Sequence, residues 1–327
     1  MRTNMKKDAV IGIDIGGTFT KYAIIDRMAN VLIEGSVPTD QTDDVNEYLS
    51  TLKKAIDKTI KEVEDTVTIK GIGIGAPNGN YKSGSIEFAP NLKWAHGKVV
   101  HLVQLLQKHY NMPVAVTNDA NAAALGEMIY GGAKGMKDFI LITLGTGLGS
   151  GIVVNGELVY GNDGFAGEVG HVRVKDNGRI CGCGRRGCLE AYVSAPGIKK
   201  TVFELLAEYP DPSELRKYSF EEMDSEMIYH AATRGDFIAL KAFEITGDLL
   251  GIKLADAVAH TSPEKIFLFG GLAKSGDYIL KPTRESFEKN LLKIYQGKIP
   301  IVLSSLPEGN VAVLGASALI WQEINQN

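Results

Sequence analysis

Cysteine is almost absent from this 327-residue chain: there are three, all between positions 181 and 188. An odd, tightly clustered set excludes a disulfide framework and points to a metal site in a reducing compartment, so a cytoplasmic protein is expected. An excess of positive charge is also missing. The formal net charge of −4 leaves no basic footprint for nucleic acid. No apolar run is long enough to span a membrane, and the polar start, MRTNMKKD, does not read as a signal peptide. Membrane and nucleic-acid partners are therefore not expected.

What is present is an ordinary globular balance, 44% hydrophobic and 23% charged, with room for two domains. Glycine, at 37 residues, is concentrated in short motifs. Apolar runs at residues 10–15, 22–25 and 31–37, joined by tight turns, predict an antiparallel meander. Val45, Leu49, Leu52, Ile56, Ile60 and Val63 recur at steps of three and four and predict an amphipathic helix. A buried strand at 69–75, a helix at 98–110 and a strand at 113–117 complete a β-β-β-α-β-α-β half. The second half opens similarly, with strands at 139–144, 151–154 and 157–160, the last two hinged at Asn155-Gly156. A helical region at 226–260, a strand at 265–269, a helix near 278–290, a strand at 299–304 and a final helix from about Val311 follow. The repetition reads as an internal duplication of one α/β lobe.

Each half carries glycine turns after a strand: Gly16-Gly17-Thr18 in the first, Gly145-Thr146-Gly147 and Gly270-Gly271 in the second. A single such turn is commonly a plain hairpin. Their recurrence at matching places points to phosphate binding, because bare backbone N–H groups converge on an anion there. Asp14, just before the first turn, would be repelled by phosphates unless a cation intervened, which implies Mg²⁺. Lys21 joins this nucleotide set.

Asn118-Asp119 follows the 113–117 strand and opens an Ala-rich helix. Taken alone it reads first as a helix cap; one of the two residues can cap while the other serves as a carboxylate or polar group facing substrate, able in the case of Asp119 to accept a hydroxyl proton during phosphoryl transfer. Glu168 lies among glycines three residues before His171, and Glu190 lies two residues past Cys188; carboxylates so placed suit vicinal hydroxyls of a sugar. His171, Cys181, Cys183 and Cys188 offer one imidazole and three thiolates, the donor set of a closed, structural zinc site. A metal on one ring nitrogen of His171 leaves the other for a ligand.

These motifs resemble those of the ROK family (repressors, open reading frames and sugar kinases). The resemblance rests on LGTGLGSG, GNDGFAGEVGH and CGCGRRGCLEAYVS between 144 and 194, and on DIGGT at 14–18, NDANAA at 118–123 and FLFGG at 267–271. It extends over essentially the whole chain. It implies an α/β, actin-like ATPase (ribonuclease H-like) duplicated fold with two lobes around a central cleft: 1–118 with about 311–327, and 119–310. It also implies a homodimer and ATP-dependent phosphorylation of a hexose. By the same resemblance Asp119 is the catalytic base, Asn118, Glu168, His171 and Glu190 hold the sugar, and His171 with the three cysteines holds zinc. Family kinases often carry Gly-Ala-Pro-Gly, whereas here Gly75-Ala76-Pro77 is followed by Asn78-Gly79. That loop, with Gly79, would border the sugar, so Asn78 bears on which sugar is taken. Asn91 matches a further sugar contact and reads equally as a turn residue.

The expected activity is that of an ATP:hexose 6-phosphotransferase of the glucokinase type. Fructose, mannose, N-acetylglucosamine and N-acetylmannosamine are alternative substrates. A sugar-sensing repressor of the same family requires a DNA-binding domain ahead of DIGGT, and the first strand near Val10 leaves no room for one. A sugar-binding module without catalysis has no use for Asp119.

Overall fold

A computed structural model of the protein describes residues 6–306 and 311–326. Residues 307–310 and 327, which fall within the expected lobes, lie outside them. The chain divides into two compact units, Met1–Gly135 with Leu158–Ala166 and Ser305–Asn327, and Met136–Glu157 with Gly167–Ser304.

The first unit is built on β1 (Lys7–Ile15), β2 (Phe19–Asp26) and β3 (Val31–Pro38), the predicted meander. Helix α1 (Val45–Val63) follows with the predicted bounds; Asp44 caps it by accepting the Asn46 N–H, and Leu49, Leu52 and Ile56 are buried. Each such fully buried side chain contributes roughly 1.5–3 kcal/mol. Next come β4 (Val67–Gly75), β5 (Gly79–Asn80), β6 (Ser85–Glu87), β7 (Val99–Val100), α2 (Leu102–Gln107), β8 (Val114–Thr117) and α3 (Asp119–Tyr130). The five-stranded sheet runs β3-β2-β1-β4-β8, with β1, β4 and β8 parallel. Parallel strands are covered on both faces, which explains their near-continuous apolar sequence. Ile11 and Ile13 of β1 pack with α1, Trp94 and α2.

The helix expected over 98–110 is shorter than its apolar pattern. Val99 and Val100 instead pair with Glu87 and Ile86 in a small sheet, β5-β6-β7, confining the helix to Leu102–Gln107. A partner far along the chain decides the fate of these β-branched residues.

The second unit contains β9 (Phe139–Leu144), β10 (Leu148–Val154), β11 (Glu157–Leu158), α4 (Ala195–Glu208), α5 (Ser225–Thr233), α6 (Phe237–Thr261), β12 (Lys265–Phe269), α7 (Asp277–Asn290) and β13 (Ile301–Leu303). Its sheet runs β11-β10-β9-β12-β13, the same succession as in the first unit. The hairpin at Asn155-Gly156 has both residues left-handed, at φ 54° and 83°, as a two-residue turn requires. The strand expected at 157–160 stops at Leu158 because Tyr160 leaves the sheet to stack on Tyr81, with ring centroids 4.4 Å apart. Ile140, Ile142 and Leu144 pack with Ile198, Leu250 and Leu254 in this unit's core.

The last helix, α8 (Val311–Gln326), returns to the first unit and packs on β1, β4 and α3. Glycine permits the contact: a Cβ on Gly73 would lie 1.8 Å from Ala316 O. Helix α3 belongs to the first unit through α8, so the division falls after Gly135 and not at the expected 118/119 boundary.

Candidate active site

In the first unit, strand register collects Asp14 and Asp119 at the carboxyl end of the parallel strands. Asp14 pairs with Gly75 of β4, which pairs with Thr117 of β8, and Asp119 lies two residues beyond. The carboxyl ends of parallel strands are where α/β sheets present ligand-binding groups. Lys21 sits directly across from Asp14 on β2. Burial lifts the Asp14 carboxyl to about 6, the Asp119 charge adds to the rise, and Lys21 opposes it. Burial also lifts Asp119 above the ordinary carboxylate range. Carboxylate oxygens are the donor class that hard cations take.

The two readings of Asn118-Asp119 divide between the residues. Asn118 is the cap of α3, its Oδ1 accepting the Asn121 N–H at 2.6 Å. Asp119 is the first helical residue, and its Oδ1 accepts the adjacent Ala120 N–H at 2.9 Å. The Gly16-Gly17-Thr18 turn is closed by the Gly16 N–H donating to Phe19 O at 3.1 Å. A Cβ on Gly17 would stand 3.2 Å from Asn91 O, so Asn91 adjoins this turn. Gly79 is packed against β8: a Cβ there would meet Thr117 O at 2.3 Å. Asn78 has left-handed backbone at φ 52°, and its side-chain amide donates to Glu87 O at 2.9 Å, so it is held to β6.

In the second unit, the Gly145-Thr146-Gly147 turn is closed by the Gly145 N–H donating to Gly147 O at 3.0 Å. Gly270, at φ 106°, leaves β12 against the Leu144 carbonyl, which a Cβ would approach to 2.5 Å. The Gly270-Gly271 turn therefore lies next to the Gly145–Gly147 turn. Glu168 and Glu190 sit on two single 3₁₀ turns, Val169–His171 and Leu189–Ala191. Ser150, which the sequence analysis did not single out, fixes the first of these. Its hydroxyl donates to Gly167 O and accepts the Val169 N–H at 3.2 Å.

His171, Cys181, Cys183 and Cys188 converge, with all four donor atoms within 4.8 Å of one another. Cys183 Sγ is 3.7 Å from Cys188 Sγ, and His171 Nδ1 is 3.7 Å from Cys181 Sγ. A tetrahedral zinc with Zn–S bonds of about 2.3 Å sets its donors about 3.6–3.8 Å apart, so these side chains fit the ion. The second imidazole nitrogen, Nε2, lies 3.8 Å from Glu168. Burial, reinforced by the Glu190 carboxylate, pushes the Cys181 thiol up to about 12. A cation among the sulfurs reverses that logic by deprotonating its ligands. Among the described residues no helix is long and apolar enough to cross a membrane.

Comparison with known proteins gives the following. The model of the ROK family matches residues 10–323. A glucokinase of Halalkalibacterium halodurans is 35% identical, with 96% of each chain covered. A xylose repressor of Caldicellulosiruptor bescii is 30% identical over 99% of this chain and 81% of its own length. Among solved structures, a ROK family glucokinase from Streptomyces griseus in complex with glucose and AMPPNP superposes with a TM-score of 0.77 at 31% identity, covering 96% of this chain and 99% of that one.

Proposed function

The chain belongs to the ROK family, whose sugar kinases have the actin-like α/β fold, and from that premise we propose that it is an ATP-dependent hexokinase. The substrate proposed is an aldohexose, glucose first, phosphorylated on its 6-hydroxyl. The observation that carries this reading is the placement of Asp119 with Asp14 at the carboxyl end of one parallel sheet, both buried enough to be held above the ordinary carboxylate range. The glucokinases among its relatives support the choice of sugar.

A hexose hydroxyl is a weak nucleophile, so Asp119 need not ionise it beforehand. The carboxylate orients the hydroxyl and receives its proton as the new P–O bond forms. Asn118, committed through Oδ1 to the α3 cap, keeps its amide nitrogen as a donor to the sugar. Glu168 and Glu190 accept hydrogen bonds from vicinal hydroxyls, and Asn91 and the Gly79 loop border the ring. With a metal held by His171 and the three cysteines, the ring nitrogen Nε2 of His171 would be left beside Glu168, open to a ligand. Zinc is the metal proposed for the four donors, in a structural role. Mg²⁺, when bound with the nucleotide, supplies charge neutralisation at the transferred phosphoryl group. Asp14 would hold that ion and Lys21 would face the phosphates at the first glycine turn, and the Gly145–Gly147 and Gly270-Gly271 turns would receive the nucleotide. A homodimer in the cytoplasm is proposed on the family resemblance alone.

The decisive experiment is ADP release with glucose, fructose, mannose, N-acetylglucosamine and N-acetylmannosamine in turn. Glucose should give the largest kcat/KM. Binding of a sugar without stimulated ADP release by any of them would instead favour a non-catalytic regulator; xylose repressors stand among the relatives.

A further inference from the structure

Gly147 and Glu190 compete for one space. A Cβ on Gly147 would lie 2.6 Å from Glu190 Oε2, and that same oxygen accepts the Leu148 N–H at 3.0 Å. The other oxygen, Oε1, faces Cys181 Sγ at 3.4 Å. The segment after Glu190 grips the opposite end of the turn: the Ala195 N–H donates to Gly145 O at 2.9 Å, and Ser194 Oγ donates back to Glu190 O at 2.8 Å. Thus both ends of the 145–148 turn hang on residues 190–195.

That segment is itself braced. Arg179 Nη1 donates to Ala191 O at 3.1 Å and to Gly197 O at 2.9 Å, while Nη2 reaches Thr201 Oγ1 and Glu204 and Nε reaches Glu204. Its guanidinium lies 4.4 Å from the centroid of the Tyr192 ring. A planar cation with its donors spent in this way fixes backbone position more firmly than a single contact does.

We propose that Glu190 is a positioning residue for the Gly145–Gly147 turn, setting its affinity for nucleotide before any sugar arrives. This goes beyond its sugar-binding role and rests on reading the turn as a nucleotide site. The carboxylate fills the place a side chain at 147 would take, so the glycine there answers to Glu190 and not only to a phosphate. A merely local requirement for glycine would make the two positions independent.

The test is calorimetric binding of Mg–AMPPNP to the metal-loaded protein without sugar. Loss of one backbone hydrogen bond to a charged acceptor corresponds to about tenfold in affinity. Glu190→Ala and Gly147→Ala should each weaken binding by about that factor, and the double variant should be no weaker than either alone. Glu190→Gln, which keeps an oxygen for the Leu148 N–H, should retain affinity within about threefold. Glu190→Asp, one methylene short of Leu148, should lose it and then tolerate Gly147→Ala, which keeps the coupling measurable if the alanine variant does not fold. Wild-type affinity in both Glu190→Ala and Glu190→Asp, or losses that multiply in the double variants, would overturn the proposal. Failure of the unmodified protein to bind Mg–AMPPNP would remove the nucleotide reading of the turn and this inference with it.

Discussion

The Asp119 carboxylate holds back the ionisation of Asp14. Burial is the larger cause of the Asp14 shift and the charge of Asp119 the second, and together they carry the group from 3.8 to about 6 against the pull of Lys21. Asp14 on β1 and Asp119, the first residue of α3, thus both hold their protons more tightly than in the unfolded chain, Asp119 through burial.

The sign of the pH dependence follows. A raised folded-state pKa means that the native protein binds this proton more tightly than the unfolded chain. The contribution of Asp14 to stability is full below about pH 4 and is lost as pH rises through 6, by at most about 3 kcal/mol. Asp14→Asn should therefore raise the ligand-free melting temperature at pH 7.5 by roughly 2–6 °C. The gain should shrink through pH 6 and vanish near pH 4, while kinase activity is lost. Calorimetric scans of both proteins across pH 4–8 check this; an equal shift at every pH would point to repacking instead.

Asp119→Asn should lower kcat by about 10²–10⁴. Sugar affinity should change by less than about tenfold, and the helix should persist because Asn118, not Asp119, caps it. Steady-state kinetics with calorimetric sugar binding separate the two effects. Turnover close to the unmodified protein's would remove Asp119 as the base.

Cys183→Ala should reduce the metal content from one zinc per chain to near none, read by elemental analysis. Glu190 faces Cys181, and His171 Nδ1 does too, so sugar binding should weaken by about ten- to a hundredfold when the loop loses its ion. Metal-free protein with unchanged sugar affinity would break the coupling.

Gly79→Ala should destabilise the ligand-free protein by roughly 1–3 kcal/mol, because the added methyl meets Thr117 O at 2.3 Å. Chemical denaturation without sugar measures it. A cost seen only when sugar is present would confine Gly79 to substrate contact.

Much of this was readable in residue order. Helix α1 follows from the spacing of Val45 to Val63, and the hairpin at Asn155-Gly156 from its turn chemistry. The convergence of His171 with Cys181, Cys183 and Cys188 follows from three cysteines clustered in a loop rich in glycine and arginine. What was not readable depends on partners distant in sequence. Val99 and Val100 look helical until Ile86 and Glu87 pair with them. The seat of Glu190 on the Leu148 N–H spans 42 residues and carries no local signal. Ser150, one residue in a glycine-rich run, gave no sign that it holds Gly167 and Val169. Asn118 and Asp119 are equivalent as cap formers on paper, and only backbone direction assigns the cap to the first.

Helix α8 covers β1 and β4, and the order of synthesis gives that a consequence. Domains generally fold as units as the chain emerges, the N-terminal one first. Here every strand of the first sheet has ended by Thr117, but helix α8, which covers β1 and β4, comes only at Val311–Gln326, whereas every element of the second unit has emerged by Ser304. The later unit can thus finish ahead of the earlier one, and a chaperone that binds bare sheet would find β1 and β4 uncovered until α8 is made.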